Sequence, residues 1–290
     1  MGEHQSSPSV VVGVDGSQSA VDASLWAVDE AVSRDIPLRL VYAIDPEATT
    51  GTDNQAAARD LATAEIAVRH AFMAVESTDK PVKIEVEILQ GQPVRALKEA
   101  SRWAAMLCVG SLGLAHSTRG RSRIGSTAAA LATSTHCPVA IVHGHQPLPA
   151  TQGWVVAEVN ASPTSDGALR RAFEQAQLRQ APLRVLTTWQ SRYTDIHDNT
   201  AVADGNRVSK TRLNRRLTEW KSRYPDLDVQ AVAVHGNILN YLAKHAHSIQ
   251  LLVVAHDRAH GITELVGPAG CSALRCTNCS ILICEPQNVL

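Results

Sequence analysis

GSLGLAHSTRGRSRIGST, residues 110–127, follows a short apolar run at 104–109 and leads into an alanine-rich segment. The apolar run reads as a buried strand and the alanine-rich segment as a helix. Between them lie Gly110, Gly113 and Gly125-Ser126, with Arg119, Arg121 and Arg123 in the same loop. A strand, a glycine-punctuated loop and a helix start together make a setting for phosphate. Glycine lets backbone N–H groups approach an anion, and the first helical turn adds unpaired donors and partial positive charge. The pattern is neither the dinucleotide fingerprint GxGxxG nor the Walker loop with GK[ST]. On its own it is equally compatible with a plain surface loop.

Working outward, the chain repeats itself. Pro37-Leu38-Arg39 recurs as Pro182-Leu183-Arg184, Ser17 as Ser162 and Gly91 as Gly236, always 145 residues apart. Beyond the loop the spacing falls to 142, pairing Gly125 with Gly267 and Cys137 with Cys279. A constant period of this kind marks a duplicated structural unit. It predicts a tail at 1–8, a first domain at 9–143, a linker at 144–152 and a second domain at 153–290. At 290 residues and 44% apolar composition, two cored domains are affordable.

Within the first copy, strand signals fall at 10–15, 38–44, 82–89, 106–110 and 138–142. Helix signals fall between them at 19–33, 54–76, 94–103 and 126–135, and the second copy repeats the alternation. This predicts an α/β class: two tandem domains, each a five-stranded parallel sheet with helices on both faces. Such sheets bind ligands at the carboxyl ends of their strands, where the strand order reverses. Asp15, at the end of VVVGVDGS, would then share a crevice with Gly110. Its carboxylate can serve a sugar hydroxyl or a phosphate-bound metal, or simply cap the helix that follows.

Five blocks in order carry a resemblance: VVVGVDGSQSAVDASLWAVDEA, PLRLVYA, GQPVRAL, GSLG…GST and HCPVAIV. The first copy resembles a universal stress protein domain, and the second, with APLRVLTTW, LLVVAHD and NCSILIC, resembles a diverged one. The resemblance implies strand order 3-2-1-4-5 and an ATP site in members that carry G-x2-G-x9-G-[ST]. Carried over by position, Gly13 and Asp15 would lie against ribose and phosphates, and Ala43 would offer its backbone to adenine. Gly110, Ser111, Gly113 and Leu114 would pass under the nucleotide. Arg121, Gly125 and Ser126 would hold the phosphates, with Mg2+ bound through them. Here the spacing from Gly113 to Gly125 is 11 residues rather than nine.

The second copy departs further. Glu158, Asn160 and Ala161 stand for Gly13, Asp15 and Gly16, and Ala255 and Arg258 for Gly110 and Gly113. Pro268 replaces Ser126, which removes a hydroxyl and an N–H donor together. This half reads as structural or regulatory, without an ordinary ATP site.

Other signals are blander. A formal net charge of −1 argues against nucleic-acid binding. The polar N-terminus and the lack of a long apolar run suggest neither export nor a membrane span, and the reading is a cytoplasmic protein. Six cysteines include a C-terminal cluster, but Cys279 and Cys284 face opposite ways on a strand, which favours burial over metal binding. His143-x-His145 and His245-x-His247 read as solvated rather than ligating. The expected function is an ATP-binding regulatory stress-response protein. The alternatives are a weak ATPase or ATP-dependent transferase, or a scaffold. Binding is favoured over turnover because Asp15 is the only carboxylate and His116 the only imidazole placed near the phosphates. Expected partners are ATP and an unidentified regulatory protein, with a homodimer left open.

Overall fold

A computed structural model of the protein describes residues 8–46, 54–113, 124–144, 153–160, 165–190, 199–258, 261–274 and 279–284. The chain divides into two compact units, residues 1–146 and 147–290. In unit 1 the order is β1 (Val10–Gly13), α1 (Gln18–Arg34), β2 (Leu38–Ile44), α2 (Asn54–Glu76), β3 (Ile84–Gln90), α3 (Pro93–Ala100), β4 (Met106–Gly110), α4 (Ser126–Ser134) and β5 (Val139–Val142). All pairings are parallel, in the order β3-β2-β1-β4-β5.

Continuous apolar strands are what a sheet covered on both faces requires. Val10, Val11 and Val12 of β1 and Met106, Leu107 and Cys108 of β4 have no exposed surface. Helix α1 begins where Ser17 accepts from the Ala20 N–H at 3.2 Å. It ends at Asp35, whose left-handed backbone (φ 53°) lets its N–H reach the carbonyls of Ala31 and Val32.

Unit 2 repeats the plan with β6 (Trp154–Glu158), α5 (Ser165–Leu178), β7 (Leu183–Trp189), α6 (Asn199–Arg223), β8 (Val229–His235), α7 (Ile238–His245), β9 (Ile249–Ala255), α8 (Ile262–Val266), α9 (Pro268–Ala273) and β10 (Ser280–Cys284). Its parallel order is β8-β7-β6-β9-β10, again 3-2-1-4-5.

Three differences from the sequence reading have physical causes. Strand β1 stops at Gly13 instead of reaching residue 15. Val14 still donates to the Val41 carbonyl at 2.8 Å, but Gly16 takes φ 86° and turns the chain toward α1. Helix α3 starts with Pro93 in its first turn and ends at Ala100, not at 103. In unit 2 the counterpart of α4 is α9, and the loop before it carries a further helix, α8, that the sequence reading did not expect. Gly267, extended at φ −82° and ψ −175°, separates them, and Pro268 opens the second.

Helix α1 is packed directly on the end of β4. A Cβ added to Gly110 would fall 2.6 Å from the Ser19 carbonyl carbon and 2.7 Å from its oxygen. Because the obstacle is backbone, Gly110→Ala is expected to destabilise unit 1 by about 1–3 kcal/mol. Hydrogen exchange on β1 and β4 amides should report it. Unchanged protection there would mean that α1 can move away without cost.

Candidate functional site

The crevice of unit 1 forms where β1 and β4, paired with Gly13 opposite Val109, reach their carboxyl ends. Gly13 sits at its base. A Cβ there would meet Leu97 Cδ1 of α3 at 2.9 Å and Val109 Cγ1 at 3.2 Å, so apolar packing already fills the space beside it. Two residues on, the Asp15 carboxylate has divided duties. Its Oδ1 accepts from the Ser17 N–H at 2.9 Å, while Oδ2 lies 3.0 Å from the position a Cβ on Gly113 would take. The residue that caps α1 is Ser17, and Asp15 stands before it. One oxygen shapes the turn into α1, and the other faces the glycine loop.

That loop is stitched to the start of α1. Ser17 Oγ donates to the Leu112 carbonyl at 3.3 Å, and the Leu112 N–H donates to Ser19 Oγ at 3.3 Å. The Ser111 N–H donates to the Val142 carbonyl at 2.9 Å, and the Gly125 N–H to the Ser111 carbonyl at 2.7 Å. A Cβ on Gly125 would lie 3.6 Å from the Gly113 nitrogen. Gly113 and Gly125, with 11 residues between them in sequence, are thus neighbours, and α4 starts from that junction. Gly125 caps α4 without a side-chain acceptor, so the first turn presents its N–H groups at the crevice. Ser126 is the first residue of this helix.

Ala43 lies near the end of β2, paired with Leu89. Its neighbour Tyr42 is a border residue that sequence reasoning missed. Burial, followed by the charges of Asp15 and Asp60, raises its hydroxyl pKa and keeps it a neutral donor. The only sequence signal was a tyrosine in the carboxyl-terminal half of a largely aliphatic strand. Leu114, His116, Arg119, Arg121 and Arg123 lie outside the described residues.

The matching place in unit 2 is filled by side chains. Glu158 and Arg258 are buried and joined by two hydrogen bonds, Nε to Oε2 at 2.7 Å and Nη2 to Oε1 at 3.2 Å. Arg258 Nη1 also donates to Glu264 Oε2 at 2.8 Å and to the Gly261 carbonyl at 2.7 Å. Burial alone would depress the arginine pKa, but Glu158 and Glu264 outweigh it and raise the value. Asn160, the counterpart of Asp15, has its carbonyl engaged by Arg216 Nη1 at 2.6 Å and by Ser165 Oγ at 3.1 Å.

Among the described residues, no group of three or more His, Cys, Asp or Glu side chains is placed to hold a metal. His245 packs its ring against Tyr241 and Trp154, with centroids 4.5 and 5.5 Å away. Burial lowers the His143 pKa to about 4. Cys279 is fully buried, and burial pushes its thiol up to about 12. No helix in the described residues is long and apolar enough to cross a membrane.

Two doubly wound α/β units, one with a glycine-lined crevice and one with the same crevice filled, define a tandem α/β protein with unequal halves. The model of the universal stress protein family matches twice, at residues 8–143 and 155–285, and the chain belongs to that family. It is similar to Universal stress protein Rv2028c of Mycobacterium tuberculosis, 45% identical over 288 residues and 99% of each chain. It is also similar to Universal stress protein Rv3134c of the same organism, 42% identical over 277 residues, covering 94% of this chain and 97% of the other. In fold it matches the crystal structure of a universal stress protein from Archaeoglobus fulgidus, with a TM-score of 0.70, 17% identity and 97% coverage of both chains.

Two outcomes are expected. Ser17→Ala removes a helix cap and the tie to Leu112, and should cost about 1 kcal/mol, visible as faster amide exchange in the first turn of α1. Cys279 should resist iodoacetamide at pH 8 in the folded protein and react once denatured, because the thiolate is the nucleophile. Rapid labelling of Cys279 in the native state would contradict its burial.

Proposed function

We propose that unit 1 binds one ATP per chain, with Mg2+ held through the phosphates, and that occupancy regulates the protein rather than fuelling turnover. The observation that supports this best is the convergence of Asp15 Oδ2, the bare Gly113 backbone and the α4 N-terminus in unit 1. A carboxylate beside closely approachable N–H groups suits a ribose and a metal-bound polyphosphate. In this reading Gly13 and Asp15 face ribose and phosphates, and the Ala43 backbone faces adenine. Gly110, Ser111, Gly113 and Leu114 pass beneath the nucleotide, and Arg121, Gly125 and Ser126 grip the phosphates. Gly110 and Gly13 contribute by letting α1 and α3 pack closely, which fixes where the loop begins.

Binding is preferred to catalysis because Asp15 already accepts the Ser17 N–H and is poorly disposed to act as a general base. Membership of the universal stress protein family supports a stress-response role. The reading places the protein in the cytoplasm and leaves room for a regulatory partner and a homodimer.

Calorimetry with Mg-ATP should give one site per chain. Two equivalent sites, or none, would overturn the proposal. Gly113→Ala directs a methyl group at Asp15 and should weaken binding at least tenfold, about 1.4 kcal/mol. Asp15→Asn keeps an oxygen for the Ser17 N–H while removing the charge, so it should weaken Mg-ATP binding with α1 intact. Wild-type affinity in both variants would mean that the crevice lies elsewhere. Nucleotide released on denaturing the purified protein should be ATP; ADP or AMP would indicate turnover.

A further inference from the structure

We infer that Arg258 acts as a built-in ligand of the unit 2 crevice, holding its loops in place and excluding an external polyphosphate. Arg258 and Glu158 occupy the positions that Gly113 and Gly13 hold in unit 1. The strand register confirms the match, since Val12 pairs with Cys108 in β1 and β4 as Ala157 pairs with Val253 in β6 and β9. In unit 1 both positions are glycine, so neither adds a side chain of its own to the crevice. In unit 2 the two side chains meet across it.

The network reaches well beyond one pair. Glu158 ends β6, Arg258 lies in the turn after β9, and Glu264 belongs to α8. Glu264 Oε1 accepts from Asn237 Nδ2 at 2.6 Å, and Asn237 Oδ1 caps α7 by accepting from the Leu239 N–H at 2.8 Å. One guanidinium thereby links four separate pieces of backbone, including the Gly261 carbonyl. The side chain of Arg258 is only 3% exposed, and those of its partners are 8% and 18% exposed. Bidentate geometry suits a guanidinium in such a place, because it satisfies several donors at once.

Electrostatics and space agree on exclusion. The cluster has one cation and two carboxylates, so it carries net negative charge toward any phosphate. Burying ions is costly, and an apolar plug would be cheaper. What the ionic plug adds is directional attachment of the turn after β9 and of α8. Unit 2 is therefore set in one arrangement by its own side chains, and its crevice is indifferent to nucleotide.

The test uses the full-length protein and needs no assumption about unit 1. Amide exchange is followed by mass spectrometry at 255–258 and 261–267 in wild type, Glu158→Gln, Arg258→Met and the double variant. Each single change should accelerate exchange there at least tenfold: Arg258→Met leaves Glu158 and Glu264 without their cation, and Glu158→Gln breaks the bidentate tie to β6 while Glu264 still pairs with the guanidinium. The double variant should be no faster than the worse single, since both changes break the same link between β6 and the turn after β9. Unchanged exchange in both singles, or additive effects in the double, would overturn the inference. Mg-ATP added to wild type should leave 255–267 unaffected, and new protection there would also overturn it. Protection at 110–113 and 124–127 is scored separately. Its absence would count against ATP binding by unit 1 and not against the plug in unit 2.

Discussion

The approach of the first turn of α1 to the end of β4 sets the carboxyl end of unit 1. Ser19 packs its carbonyl where a side chain on residue 110 would stand, so only glycine is accommodated. Ser17 and Ser19 then use the same closeness to hold Leu112 from both its N–H and its carbonyl. With the loop start fixed, Gly113 falls beside Asp15, and the Gly125 N–H closes onto Ser111. Each later contact relies on the earlier one, and none requires the loop between Gly113 and Gly125 to have a particular length. Both anchors are held from outside it.

Much of this was legible in the sequence. The 145-residue spacing and the apolar strand runs were enough for two parallel sheets, because buried strands need unbroken hydrophobicity, and the order 3-2-1-4-5 came from the family resemblance. The limits of the elements were less legible. Val14 keeps a ladder hydrogen bond after β1 has ended, and residue patterns do not reveal where a Gly16 with positive φ will turn the chain. Helix α8 was not legible either, because it lies in the counterpart of a loop and is set off from α9 only by the extended Gly267 before Pro268.

At the candidate site, the family resemblance placed Asp15, Gly113 and Gly125 at one nucleotide, and the sequence reading took Glu158 as an obstructing negative charge without pairing it with Arg258. Their opposite charges at positions known to face each other were the available signal. Tyr42 was hidden for a different reason. Its proximity to Asp60 comes from the packing of α2 over β2, and to Asp15 from the pairing of β1 with β2, neither of which periodicity alone resolves.

The Glu158–Arg258 pair also bears on how the two halves can change over generations. Restoring glycine at 258 alone would abandon a buried carboxylate, and restoring it at 158 alone would cost the buried guanidinium its bidentate partner and leave it only Glu264 and the Gly261 carbonyl. Either single step passes through a destabilised protein, although the two together lead back to a bare crevice. The second half is thus held in its diverged form by a ratchet: its return path is closed to substitutions made one at a time.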